Sequence, residues 1–168
     1  MGPEKYSEMR KLVSKALVAI FVAVSLTLSG CGSLQKVKDI KVTSVGVESY
    51  SLSGLRTVNA ILAVGVDNPT FAFKVTGLNG ILKYKGEDFA FYSADTIKID
   101  KKCGKVYDLP CSATLSEGVS LMKAVQIFRN GSLEGFTTDV EAKVKLKSGA
   151  GTTLKYKDLD LQKLAEGK

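Results

Sequence analysis

The sequence predicts a mainly β protein, an antiparallel β-sandwich with one short helix, and three observations carry that prediction. Apolar residues recur with a period of two from Ile40 onward, which is the spacing of strands. These runs are short and roughly ten residues apart, broken by Gly, Asp, Asn and Pro at turn positions. Only one stretch, after Ser116-Glu117, places its apolar residues at helical spacing.

Taken in order, Ile40-Val42 and Val45-Val47 alternate with Lys41, Thr43 and Glu48. Val58 to Val66 is a nearly continuous apolar and small run, the pattern of a strand buried on both faces, and it ends at Asp67-Asn68-Pro69-Thr70. Phe71, Phe73 and Val75 then alternate with Ala72, Lys74 and Thr76, and Gly77-Leu78-Asn79-Gly80 is expected to interrupt the chain before Ile81–Lys85. Gly86-Glu87-Asp88 turns it into Phe89–Tyr92, and Thr96–Asp100 makes a short strand. Tyr107, Leu109, Cys111, Ala113 and Leu115 share one parity of the next strand. Pro110, with no N–H to give a ladder, marks an edge position or bulge there.

The helix is expected to open at Ser116-Glu117, carry Val119, Leu121, Met122, Val125 and Phe128 on one stripe, and stop at Asn130-Gly131. That stripe suits a lid on the open end of the sandwich; the alternative is a groove beneath it that takes an apolar ligand. Val140, Ala142, Val144 and Leu146 face inward, with Glu141, Lys143, Lys145 and Lys147 outward. Ser148–Gly151 then turns the chain into Thr152–Tyr156, and Leu159, Leu161 and Leu164 close the domain.

Ahead of this pattern, residues 1–15 are polar and net positive, and residues 16–28 are thirteen apolar or small residues without a charge. Thirteen helical residues span about 20 Å, short of the ~30 Å hydrocarbon core, so the segment reads as the apolar part of an export signal. Met9-Arg10-Lys11 offers an alternative start with a charged leader of ordinary length. The segment ends at Leu28-Ser29-Gly30-Cys31, which resembles the bacterial lipobox, where Leu and two small residues precede a cysteine that is lipidated. The resemblance implies cleavage before Cys31 and attachment to membrane lipid through its thiol. An ordinary secretory signal with an incidental cysteine is the alternative. The expected organisation is a signal over 1–30, a tether over 31–39 and one domain over 40–165.

Removing Lys5, Arg10, Lys11, Lys15, Glu4 and Glu8 from the totals of 24 basic and 17 acidic residues leaves a mildly basic net charge of +5. That is short of the clustered basic signature of nucleic-acid binders, and no nucleic-acid partner is expected. The chain has no His, which removes Ser-His-Asp and Cys-His nucleophile systems and the usual catalytic zinc sites. We expect no enzyme and no cofactor.

Val58–Val66 running into Asp67-Asn68-Pro69-Thr70, followed by the alternating Phe71-Phe73-Val75, resembles the late embryogenesis abundant group 2, or water-stress and hypersensitive-response (WHy), family. Residues 81–92 are similar to that family's hairpin, 96–115 to its strand pair and 135–156 to its closing hairpin. The resemblance implies a fibronectin-III/immunoglobulin-like sandwich, no active site and a stress-protective role by binding or shielding. In purely physical terms, Pro69 pushes Asn68 into an extended conformation, so its amide can bond backbone groups of the turn beyond it.

Cys103 and Cys111 are the remaining cysteines, and in an exported protein an even pair suggests a disulfide. They can bridge only if the chain folds back between them, and a buried free thiol at Cys111 is the alternative. Gly149-Ala150-Gly151-Thr152-Thr153 lacks the lysine and spacing of a phosphate loop and reads as a hairpin turn. Glu87-Asp88 and Asp158/Asp160 read as solvated charge. Lys143, Lys145, Lys147, Lys155 and Lys157 are expected on one face of the closing hairpin, as a candidate contact for anionic glycan or lipid. The expected role is thus a membrane-anchored envelope module that binds a protein, glycan or lipid, with a lipid carrier or chaperone as the alternative. Gly32 after Cys31, where Asp would resemble an inner-membrane retention signal, points to the outer membrane, facing the periplasm, in a Gram-negative cell.

Overall fold

The period-two pattern becomes strands throughout the computed structural model, which describes residues 40–129 and 132–165. In chain order these are β1 (Lys41–Ser53), β2 (Thr57–Asn68), β3 (Phe73–Tyr84), β4 (Glu87–Ala94), β5 (Ile97–Ile99), β6 (Cys103–Leu115), helix α1 (Leu121–Phe128), β7 (Phe136–Leu146), β8 (Gly151–Asp160) and a short α2 (Leu161–Ala165). Every pairing is antiparallel. The order is β1-β2-β6-β4-β3-β7-β8, with β5 on the first residues of β3.

The sheet curls on itself as a sandwich, because only then can each strand hide its apolar parity. Leu62, Val64 and Val66 of β2 and Leu109 of β6 meet Ile97 and Ile99 of β5, with Phe73, Val75 and Leu154 packed around them. A second cluster fills one end: Leu78, Phe89, Phe136 and Val140, covered by Ala124 of α1 and Leu161 of α2. The rings of Phe89 and Phe136 lie 5.4 Å apart, and those of Tyr84 and Phe136 4.8 Å. The helix therefore lies on a filled aromatic core.

Several local expectations are corrected. β2 is buried mainly on one face: Leu62, Val64 and Val66 point inward, while Asn59, Ile61 and Asp67 on the other parity are exposed and only the small Gly65 is covered there, by Thr43 and Ser44 of β1. Gly77-Leu78-Asn79-Gly80 does not break the chain but lies inside β3. Gly77, at φ 57°, supports a bulge between Thr76 and Asn79. The helix begins at Leu121 rather than at Ser116-Glu117. Gly118, at φ 84°, cannot continue a helix, and Ser120 is the cap, its Oγ accepting from Lys123 N at 3.1 Å. Asn130-Gly131 lie outside the described residues. β5 pairs with β3 rather than with β6, so residues 96–115 are not a strand pair.

Pro110 lies inside the long β6, paired with β2 over its whole length. On its other side β6 pairs with β4 only from Cys111 to Leu115, and the Pro110 carbonyl accepts from Asp95 N at 2.9 Å. The missing N–H thus points to the side where the second neighbour ends, so β6 is an edge there. The closing hairpin follows the expected parity: Val140, Ala142 and Val144 are buried, while Lys143 and Lys145 are exposed.

Candidate functional site

Strand register, not sequence proximity, decides which charged side chains meet. The outer face of β7 carries Glu141, Lys143 and Lys145, opposite Lys155, Thr153 and Gly151 of β8. Lys155 is taken up by Glu141 at 2.9 Å, which holds the Glu141 carboxyl below its ordinary range. Lys147 lies in the turn beyond β7. Lys157 sits beside the bulge at Asp158, where φ is 52° and the chain N–H bonds Asp139 Oδ1 at 2.9 Å. Of the five lysines expected together, Lys143, Lys145 and Lys155 share the ladder face, Lys157 stands close enough to Asp139 to help hold its carboxyl down, and Lys147 lies just beyond the end of β7.

The structure also aligns Lys145 with two lysines distant in sequence, Lys74 and Lys98. Lys74 of β3 is opposite Lys145 on one side and Lys98 of β5 on the other, a row of three lysines across three adjacent strands. All three are exposed, and among the described residues none has an ion pair. The alternation of Lys74 with Phe73 and Val75, and of Lys98 with Ile97 and Ile99, marks both as outward-facing. Their alignment depends on strand order, which no local pattern gives.

Asn68 is wholly buried and uses its full hydrogen-bonding capacity. Its Nδ2 donates to the carbonyls of Phe71 at 2.9 Å and Asp100 at 2.7 Å, and its Oδ1 accepts from Thr70 N at 3.0 Å and Thr70 Oγ1 at 2.8 Å. No bonding capacity is left for a ligand, so the Asn68-Pro69 geometry is that of a turn staple. Beside it, Lys105 Nζ lies 2.7 Å from Asp100 Oδ2, which raises the lysine pKa, and Asp100 N donates to Tyr107 Oη at 3.0 Å.

The disulfide alternative for Cys103 and Cys111 is corrected: both are free. They stand eight residues apart on one strand whose register with β2 is unbroken, so extended backbone holds their Cα atoms about 26 Å apart, against the ~7 Å a bridge allows. Cys103 Sγ instead donates to the Asp100 carbonyl at 3.1 Å, and burial pushes the Cys111 thiol pKa up. Glu87 and Asp88 are exposed; Asp158 pairs with Lys83, and Asp160 caps α2 through Gln162 N. Among the described residues, no group of three or more His, Cys, Asp or Glu could hold a metal ion, and no helix is long and apolar enough to cross a membrane.

One feature the sequence reading missed is an open groove of about 560 Å³ on the outer face of β1, β2, β6 and β4. Ser51, Asn59, Ser112 and Ser93 form a row across these four strands, with Asp95 at its rim. The lining mixes these hydroxyls and the amide with apolar surface from Tyr50, Ile61 and Pro110, and it holds no charged cluster. Leu28, Ser29, Gly30 and Cys31 lie outside the described residues.

No protein-family profile matches the chain, and no curated protein does. Among solved structures, a protein from Archaeoglobus fulgidus is similar at a TM-score of 0.41 and 7% identity, over 70% of this chain and 97% of that one. The GAE domain of yeast GGA1 is similar at 0.28 and 6%, over 67% and 89%, and that of GGA2p from Saccharomyces cerevisiae at 0.26 and 6%, over 70% and 89%.

Proposed function

We propose that the chain is a cell-envelope lipoprotein, held to the membrane by an acylated Cys31, whose sandwich is a non-enzymatic binding or shielding module. The observation that carries this reading is the junction Leu28-Ser29-Gly30-Cys31, placed directly after thirteen uncharged residues. A diacylglycerol on the thiol supplies two chains, and two are needed because a single acyl chain gives only marginal, reversible membrane binding. A Gram-negative cell would hold the protein on the outer membrane, facing the periplasm, since Gly32 stands where Asp would resemble a retention signal.

The sandwich supports a module rather than a carrier. The space beneath α1 is occupied by Phe89, Phe136 and Tyr84 in ring contact, which leaves an acyl chain no room without repacking. Resemblance to the WHy family adds stress protection of envelope components as the purpose of that module. It rests on the order and spacing of the apolar runs in the sequence and on Asn68-Pro69, where the Asn68 bonds are turned inward to hold the fold.

Growth with a labelled fatty acid tests the anchor. Wild type takes up label and Cys31→Ala does not; equal label in both would refute the assignment of Cys31.

A further inference from the structure

We propose that the sandwich stands end-on against an anionic lipid surface, seated on a lysine-rich base at the end where the chain arrives from Cys31. The proposal rests on the anchored reading for its tether, and it adds the orientation of the domain and the chemistry beneath it.

Register defines the base. Lys41 at the start of β1 is opposite Asp67, Cys103 at the start of β6 is opposite Asn68, and Phe73 at the start of β3 is opposite Leu146 at the end of β7. The Asn68–Asp100 bond brings the end of β5 to the same place. This end carries the Lys98–Lys74–Lys145 row. Around it Lys101, Lys102 and Lys147 stand in the connecting loops, and Lys41 and Lys105 at the strand starts. Against these eight lysines, among the described residues, stand Asp67 and Asp100, and Asp100 is matched by Lys105.

Elsewhere the charge is balanced. Higher on the β3–β7–β8 face, Lys83 is paired with Asp139 and Asp158, and Lys155 with Glu141. At the opposite end Glu87, Asp88 and Glu117 stand among Arg56, Lys85 and Lys123. Like charges directly opposite each other on neighbouring strands are destabilising, and a counter-charged surface relieves that cost at the base alone.

The chain outside the described residues selects the partner. Cys31 precedes Ile40 by nine residues, which span at most about 32 Å, less than the ~43 Å length of a thirteen-residue strand. An anchor at Cys31 keeps the base near the headgroups and makes the encounter effectively intramolecular. Screening confines the attraction to about 8–10 Å, so only the lysines of the base take part. The occupant is the anionic lipid headgroup.

The test uses the full acylated protein in vesicles of phosphatidylcholine alone or with phosphatidylglycerol. An amine-reactive reagent is added outside, and labelling of each lysine is read by peptide mass spectrometry. Lys74, Lys98, Lys101 and Lys145 should react at least about threefold more slowly on anionic vesicles, while Lys85, Lys123 and Lys163 are unchanged, and the contrast should vanish near 1 M salt. Substituting Lys74→Gln, Lys98→Gln and Lys145→Gln together should abolish protection of Lys101. Equal rates on both vesicles, or equal protection at both ends of the domain, would overturn the proposal. So would protection by a soluble acidic polysaccharide without any by anionic lipid. Intact mass reads acylation in the same sample: a missing acyl mass counts against Cys31 as the anchor, while the vesicle contrast still decides the docking.

Discussion

The Nδ2 of Asn68 donates a 2.7 Å hydrogen bond to the carbonyl of Asp100, joining the last residue of β2 to the residue that follows β5. The same nitrogen reaches Phe71, and Thr70 donates twice to the Asn68 Oδ1. Asn68→Ala strands two carbonyls and an N–H, and it should destabilise the fold by about 2–4 kcal/mol. Asn68→Asp should cost at least as much, because a carboxylate cannot donate to either carbonyl. Denaturant midpoints of the two variants check this. An unchanged midpoint with altered membrane or partner binding would make the motif a contact surface.

Gly80 of β3 lies under the Tyr92 hydroxyl and the Asp139 carbonyl, both of which a Cβ would meet head-on. That hydroxyl is committed, 2.9 Å from the Oγ1 of buried Thr138, and burial raises the Tyr92 pKa. Gly80→Ala should therefore cost about 3 kcal/mol or more by forcing β3 and β7 apart. Adding Tyr92→Phe should recover only part of the loss, since the backbone carbonyl remains. Midpoints of the single and double variants measure the split.

Much of this fold is legible in local pattern. The parity of Val140, Ala142 and Val144 against Lys143 and Lys145 needs only alternation, and the hairpin at Gly149 needs only a residue at ease with positive φ. What local pattern lacks is the partner of each strand. Gly77 reads as a break because a bulge and a turn use the same residue, and they differ only in whether β7 runs alongside. Val58–Val66 reads as doubly buried because Ala63 and Gly65 are small, not because a second layer covers them. The Lys98–Lys74–Lys145 row is invisible for the same reason: its members are 24 and 71 residues from Lys74 in sequence, and only strand order makes them neighbours. Residues 28–31 lie outside the described residues, so the lipobox resemblance rests on the sequence alone.

Both cysteines of the domain should titrate as free thiols. With Cys31 acylated or blocked, denatured protein kept without reductant should react with two equivalents of a thiol reagent. In the native state Cys111 should lag, since burial raises its pKa and lowers its thiolate fraction. A mass two units lower, restored by reductant, would show a bridge and require β6 to be broken.

Acid should loosen the β3–β7–β8 face. The Asp158 N–H and Lys83 hold the Asp139 carboxyl below its ordinary range, and Lys155 does the same for Glu141. A carboxyl whose folded pKa is depressed contributes stability that is present above its unfolded value, near 4, and is lost as pH falls through the folded value. Asp139→Asn keeps an oxygen for the Asp158 N–H but loses the charge. It should lower the midpoint near pH 7 and leave it unchanged near pH 2, where wild type is also neutral at that position. An equal loss at both pH values would mean that shape, not charge, is what the carboxylate supplies.

The lysine row makes stability and docking pull in opposite directions. Lys74 faces Lys98 and Lys145 at once, so Lys74→Glu turns two repulsive cross-strand pairs into attractive ones. Such pairs are worth about 0.2–1 kcal/mol each, so the variant should be more stable at low salt by about 0.5 kcal/mol or more, with the gain fading as salt approaches 1 M. Wild type should show the converse, a thermal midpoint that rises with added salt as the repulsion is screened. The same variant should lose protection of Lys101 on anionic vesicles, since two units of positive charge leave the base. A variant of a residue kept only to solvate the outer face would gain stability with no loss of membrane contact, so measuring midpoint and labelling on one variant separates the two roles.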